Sequence, residues 1–148
     1  MGLFDKILGG QGSENTALTK EEAFASILLV TVAADGHISD EEAATFNAVI
    51  NRMQLYRNIN GQQFSQMMDK LIGLLKKHGH QNLLQRSYEA LPEDLRLTAF
   101  AVCTDLVFAD GSVEQEEKDT LENIQASLKI PEDQALQIIE VMQIKYRG

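Results

Sequence analysis

Asp35-Gly36-His37-Ile38-Ser39-Asp40-Glu41-Glu42 returns 75 positions later as Asp110-Gly111-Ser112-Val113-Glu114-Gln115-Glu116-Glu117. Each copy holds an Asp-Gly turn, one aliphatic residue and an acid pair. The offset persists outside the motif, pairing Val32 with Val107, Ala34 with Ala109, Met53 with Leu128, Leu55 with Ile130, Gln62 with Gln137 and Met67 with Met142. A constant spacing without insertion predicts two copies of one helical unit that bury a shared core.

Helical periodicity flanks both turns. Ala23, Phe24, Ile27, Leu28 and Val32 share a face from about Thr19 to Ala34, and Thr19 with Glu22 forms a capping box. Ser39 and Glu42 form another, opening a helix that turns Phe46, Val49, Ile50 and Met53 inward. A third helix carries Phe64, Met67, Met68, Leu71, Leu74 and Leu75 and ends near His78-Gly79-His80, before a shorter one over 83–91. Pro92 suits the first turn of the next helix, which reaches the second Asp-Gly; two more run from about Glu114 to Leu128 and from Pro131 to Tyr146. Alternating strand patterns are missing. The expectation is an all-α chain of about seven helices in a compact bundle with an internal two-fold pseudo-repeat, the halves at roughly 19–75 and 92–146.

Thirteen Lys and Arg against 22 Asp and Glu set a formal charge of -9, which argues against nucleic acid and suits cations or basic partner surfaces. Seven acids and one base lie between Asp105 and Glu122; six bases and one acid lie between Arg52 and Tyr88. An acidic end and a basic flank follow. The single cysteine excludes an internal disulfide, and no apolar run approaches the roughly 18 residues that span a bilayer. The start also lacks the pattern of a secretory signal, so a cytoplasmic protein with no integral membrane segment is expected. Residues 1–16 read as a lead-in to a domain over 17–148. In it Leu3, Phe4, Ile7 and Leu8 make an amphipathic turn, and a glycine-rich link follows from Gly9. That turn would dock on its own domain, on a protein partner or weakly on a membrane surface.

The repeated motif has a physical relative in the calcium loop of the EF-hand, with Asp35 and Asp110 at loop position 5 and Glu42 and Glu117 at position 12. Positions 1 and 3 would be Thr31 and Ala33, or Leu106 and Phe108, in the last turn of a preceding helix. Neither copy alone completes a site. Asp35, Glu42, Asp110 and Glu117 would together offer four carboxylates to one ion, calcium or, with His37 adding nitrogen, zinc or manganese. The alternative is that the acids only shape the turn: glycine ends one helix, Ser39 caps the next, and first-turn acids complement its dipole. His78 and His80 are a second metal candidate, with a helix C-terminus as their plainer explanation. Cys103 lies on an apolar helix and reads as a buried thiol. No Ser-His-Asp order, phosphate loop or zincin motif points to an enzyme.

An all-helical chain that starts Leu3-Phe4-Asp5-Lys6 and carries two Asp-Gly-x-aliphatic-x-x-x-Glu turns resembles the TerB-like family of tellurite-resistance proteins over nearly its whole length. The resemblance implies a pseudo-symmetric helical bundle, a role in tellurite resistance and general stress response, association with membrane-linked stress complexes, and an acidic face for divalent cations. Carried onto this sequence, that face is Asp35, Glu42, Asp110 and Glu117.

Overall fold

The computed structural model describes residues 17–33, 38–109 and 111–148. Among them are six α-helices and no strand: α1 Lys20–Val32, α2 Asp40–Arg52, α3 Gly61–Ala90, α4 Arg96–Phe108, α5 Gln115–Ser127 and α6 Glu132–Lys145. Short 3-10 turns at Gln54–Tyr56 and Glu93–Leu95 join α2 to α3 and α3 to α4. The lead-in 1–16 lies outside the described residues.

The centre of the fold is α1. Ala23 through Val32 are buried without interruption, and a helix that is apolar on every side has to be enclosed by others. α3 packs along one side of it and α4 along another. Phe24, Ile27 and Leu28 meet Leu71, Leu83 and Leu84 of α3 and Phe100 of α4 in one core cluster. The polar residues caught there are satisfied locally. Ser26, Thr31, Ser87 and Thr104 each donate a hydroxyl to the carbonyl four residues back, at 2.7 to 3.0 Å, so their burial leaves no orphaned donor.

Helix starts agree with the sequence at both expected capping boxes. Thr19 Oγ1 accepts from the Glu22 amide and Glu22 Oε1 from the Thr19 amide, at 3.1 and 2.9 Å. Ser39 and Glu42 exchange the same bonds at 3.0 Å each. Two boundaries differ. The third and fourth expected helices are one element, α3, so the described helices number six rather than about seven. Gly79 sits inside α3 at φ 85 and ψ 171. Only glycine takes that geometry cheaply, so the helical run is broken there, where the sequence expects one helix to end, and a second arm starts just beyond it within the same element. Pro92 begins the 3-10 turn rather than the helix, and α4 starts at Arg96.

Candidate functional site

Both motif turns connect a central helix to an outer one, and each ends in a glutamate used as a cap. In the first copy the outer helix is α2 and the cap is Ser39 with Glu42. In the second it is α5, where Glu117 Oε1 accepts from the Glu114 amide at 3.0 Å. The serine of the first copy has become Glu114, yet the backward-reaching carboxylate is retained. Gly111 follows the end of α4 at φ +86, the left-handed geometry an Asp-Gly turn supplies, and its amide donates to Phe108 O at 3.1 Å. Asp35, His37 and Asp110 lie outside the described residues.

The two glutamates, 75 residues apart, line one small cleft. Thr31 and Val32 of α1, Glu42 and Thr45 of α2, Leu106 and Val107 of α4 and Glu117 of α5 form it, around a volume of about 20 Å³, room for one water-sized particle. Three of its positions are matched across the offset: Thr31 with Leu106, Val32 with Val107, Glu42 with Glu117. The meeting follows from the core, because α1 and α4 lie side by side and bring their C-terminal ends, hence the outer-helix starts, together. Cys103 Sγ, which lies 3.8 Å from Ile27 O, marks the same alignment one turn earlier.

The cleft concentrates negative charge beside two hydroxyls and the ends of two helices, whose carbonyls carry partial negative charge. The first turns of α2 and α5, which carry Glu42 and Glu117, set partial positive charge against it. Each carboxylate oxygen has two lone pairs, so the one amide bond to Glu42 Oε1 leaves acceptor capacity on that side chain. The described donors do not complete a calcium shell of roughly six to eight oxygens, and no group of three or more His, Cys, Asp or Glu assembles among the described residues. Thr31 and Leu106 lie within helices, so neither copy forms an EF-hand loop, as the sequence indicated.

The histidines separate. His78 is exposed, while a ring nitrogen of His80 lies 3.2 Å from Ala33 O, the C-cap carbonyl of α1. His80 therefore serves the C-terminus of a different helix, a role available because the bend at Gly79 aims it across the bundle. The Cys103 thiol is fully enclosed, and burial pushes it up to about 12, so it stays protonated and unreactive near neutral pH. Of the basic flank, Lys70 is engaged: its Nζ lies 2.9 Å from Glu22 Oε2.

Two larger apolar grooves escaped the sequence reading. One, of about 640 Å³, runs between α4, α5 and α6. The other, of about 360 Å³, is lined largely by α2 and the first arm of α3. Positions 75 apart line them in matched pairs, among them Ile38 with Val113, Phe46 with Leu121 and Phe64 with Ile139. The signal was present in the sequence as two phenylalanines replaced by smaller residues, but their adjacency is a tertiary fact: the Phe46 and Phe64 ring centroids lie 6.4 Å apart.

The family model described as tellurite resistance protein TerB matches residues 21–140. No curated protein and no solved structure matches the chain.

Proposed function

The chain belongs to the TerB family of tellurite-resistance proteins, and from that premise we propose that it is a non-enzymatic, cytoplasmic stress-response module that binds one divalent cation between its two acidic turns. The observation that carries this reading is the cleft in which Glu42 and Glu117 meet. One ion there would draw its remaining oxygens from Asp35, Asp110, backbone carbonyls and water. A shared ion also accounts for a glutamate recurring at both positions while the serine of the first capping box gives way to Glu114 in the second. His37, present in one copy only, would tilt the preference toward zinc or manganese if it reaches the ion. The module would then pass its cation state to a protein partner.

Isothermal titration with calcium, zinc and manganese tests the proposal. Glutamine can fill a capping box as glutamate does, so Glu42→Gln and Glu117→Gln remove charge and leave the caps. Each is expected to weaken cation binding by about tenfold or more, the scale seen when support for a metal ligand is lost, with Asp35→Asn and Asp110→Asn behaving alike. Affinity unchanged in all four variants, or absent in the parent, sinks the reading.

A second reading rests on the same hydrogen bonds. Glu42 and Glu117 each hold a helix N-terminus, so the turns can be purely structural and the acidic face a surface for a basic protein partner. Under it, Glu117→Ala lowers the melting temperature by the same amount with and without chelator, and Glu117→Gln hardly at all.

A further inference from the structure

Three local costs converge on one ring, that of Tyr88 in α3. Lys129 follows α5 at φ 57, the only non-glycine residue with positive φ among the described residues. Its amide donates to Ala126 O and the Ile130 amide to Gln125 O, at 3.1 and 3.0 Å, a helix end where glycine is the ordinary residue. A lysine there is strained, yet its Nζ lies 4.9 Å from the Tyr88 ring centroid. Arg96 opens α4, whose first turn holds no acid and whose start has no side-chain cap, so its charge opposes the helix dipole. Its guanidinium carbon stands 4.3 Å from the same centroid. Arg96 Nε is enclosed and meets no acceptor among the described residues, whereas its Nη atoms are not enclosed. Buried polar atoms are seldom left so. Neither cation has an acid. Glu93 and Asp94 precede Arg96, and Glu132 and Asp133 follow Lys129, but among the described residues neither Arg96 nor Lys129 forms an ion pair. Two cations held so near one ring repel each other unless an anion joins them.

We propose that Arg96, Lys129 and the Tyr88 hydroxyl form a binding site for a phosphate dianion, either free or carried as a monoester on a small molecule. Arginine recognises phosphate as a planar fork and lysine as a point charge. Their two positive charges match a dianion, where a carboxylate would leave one unanswered. The Tyr88 hydroxyl, which has no hydrogen-bond partner among the described residues, supplies a neutral donor to a further oxygen. The start of α4 adds partial positive charge. Arg96 stands ten residues along α4 from Leu106 of the Glu42–Glu117 cleft, about 15 Å of helix. That exceeds the Debye length at physiological salt, so the acidic cleft hardly opposes an anion here. The lysine at a glycine position thus exchanges helix-end stability for charge. The inference is independent of the cation reading.

Lys129→Gly separates a ligand role from a structural one. Glycine relieves the left-handed strain, so without ligand this variant is expected to melt no lower than the parent. Isothermal titration of the full chain with inorganic phosphate, at ionic strength held constant with sodium chloride, is expected to show binding. Lys129→Gly and Arg96→Gln should each weaken it by about tenfold or more, as the loss of a charged hydrogen-bond partner implies. Tyr88→Phe, which keeps the ring under both cations, should weaken it by a smaller factor. Glycerol phosphate, titrated alongside, binds more tightly than the free ion if the site takes esters and no more tightly if it takes the ion itself. Binding of neither phosphate by the parent, or affinity unchanged in both Lys129→Gly and Arg96→Gln, overturns the proposal. So does a ligand-free melting temperature lowered by Lys129→Gly, because the lysine would then be a structural brace for Tyr88.

Discussion

Cys103 and Tyr56 show what burial does to an ionisable side chain that nothing pairs as an anion. Burial lifts the thiol from its ordinary 9.0 to about 12, against a weaker opposing hydrogen bond from Thr31. The Tyr56 phenol is raised from 10.0 chiefly by burial and further by the Glu21 charge, and its hydroxyl donates to Glu21 O at 2.8 Å. Both are acids that are neutral when protonated, and both are harder to ionise folded than unfolded. Their contribution to stability is complete below the unfolded values and is lost as pH climbs from about 9 toward the raised ones. Above about pH 9 the unfolded chain releases protons that the folded chain keeps, so stability falls by up to about 1.4 kcal/mol per pH unit for each group. Urea midpoints measured from about pH 8 to pH 11 are expected to decline, and Cys103→Ala, though less stable throughout, should decline less steeply over the first part of that range. Equal slopes in the two proteins would refute the assignment to Cys103.

Among the elements, α3 is the one that a break in the helical backbone divides. His78-Gly79-His80 carries the marks of a helix end, a left-handed glycine flanked by residues that suit a C-terminus. Glycine at that position takes φ 85 and ψ 171, outside the helical region, so the first arm ends there as the sequence expects, and a second arm runs to Ala90 with Leu83 and Leu84 in the core. Periodicity cannot distinguish two helices from one bent helix, since either places the same residues inward. A Cβ at Gly79 would meet nothing within 4 Å, so Gly79→Ala is penalised by backbone strain alone, about 1–3 kcal/mol in a region that is essentially glycine's. Thermal denaturation checks this. A neutral or stabilising result would mean that the bend is not required. α6 is secured differently: Lys145 Nζ donates to Asp105 Oδ2 at 2.8 Å and the Tyr146 hydroxyl donates to Oδ1 of the same carboxylate. Its outer face nonetheless keeps Val141 and Ile144 more than half exposed.

For the whole molecule the decisive fact is that α1 and α4 lie side by side at the centre. Leu28, fully buried in α1, should lose about 2–5 kcal/mol on change to alanine, whereas Leu136→Ala on the groove wall should fall within about 0.5 kcal/mol of the parent. Urea denaturation of both variants tests whether the core is centred where the packing places it; comparable losses would contradict it. The same central pairing draws the C-terminal ends of α1 and α4 together and so brings Glu42 into one cleft with Glu117. The composition rules agree with the packing, as no helix among the described residues is long and apolar enough to cross a membrane.

Local rules in the chain were enough to determine the helical class, the capping boxes at Thr19 and Ser39 and the 75-residue offset, because caps, turns and periodicity act over a few residues. They also showed that neither motif copy is a complete calcium loop, since Thr31 and Leu106 belong to the helices before the turns. Three features needed the tertiary structure: that Glu42 and Glu117 share a cleft, that His80 reaches α1 instead of its own helix end, and that Leu121 and Ile139 line a groove of about 640 Å³ where Phe46 and Phe64 line one of about 360 Å³ in the other half. Each depends on which helix faces become neighbours. That is decided by the packing of the whole core around α1, and no spacing along the chain encodes it.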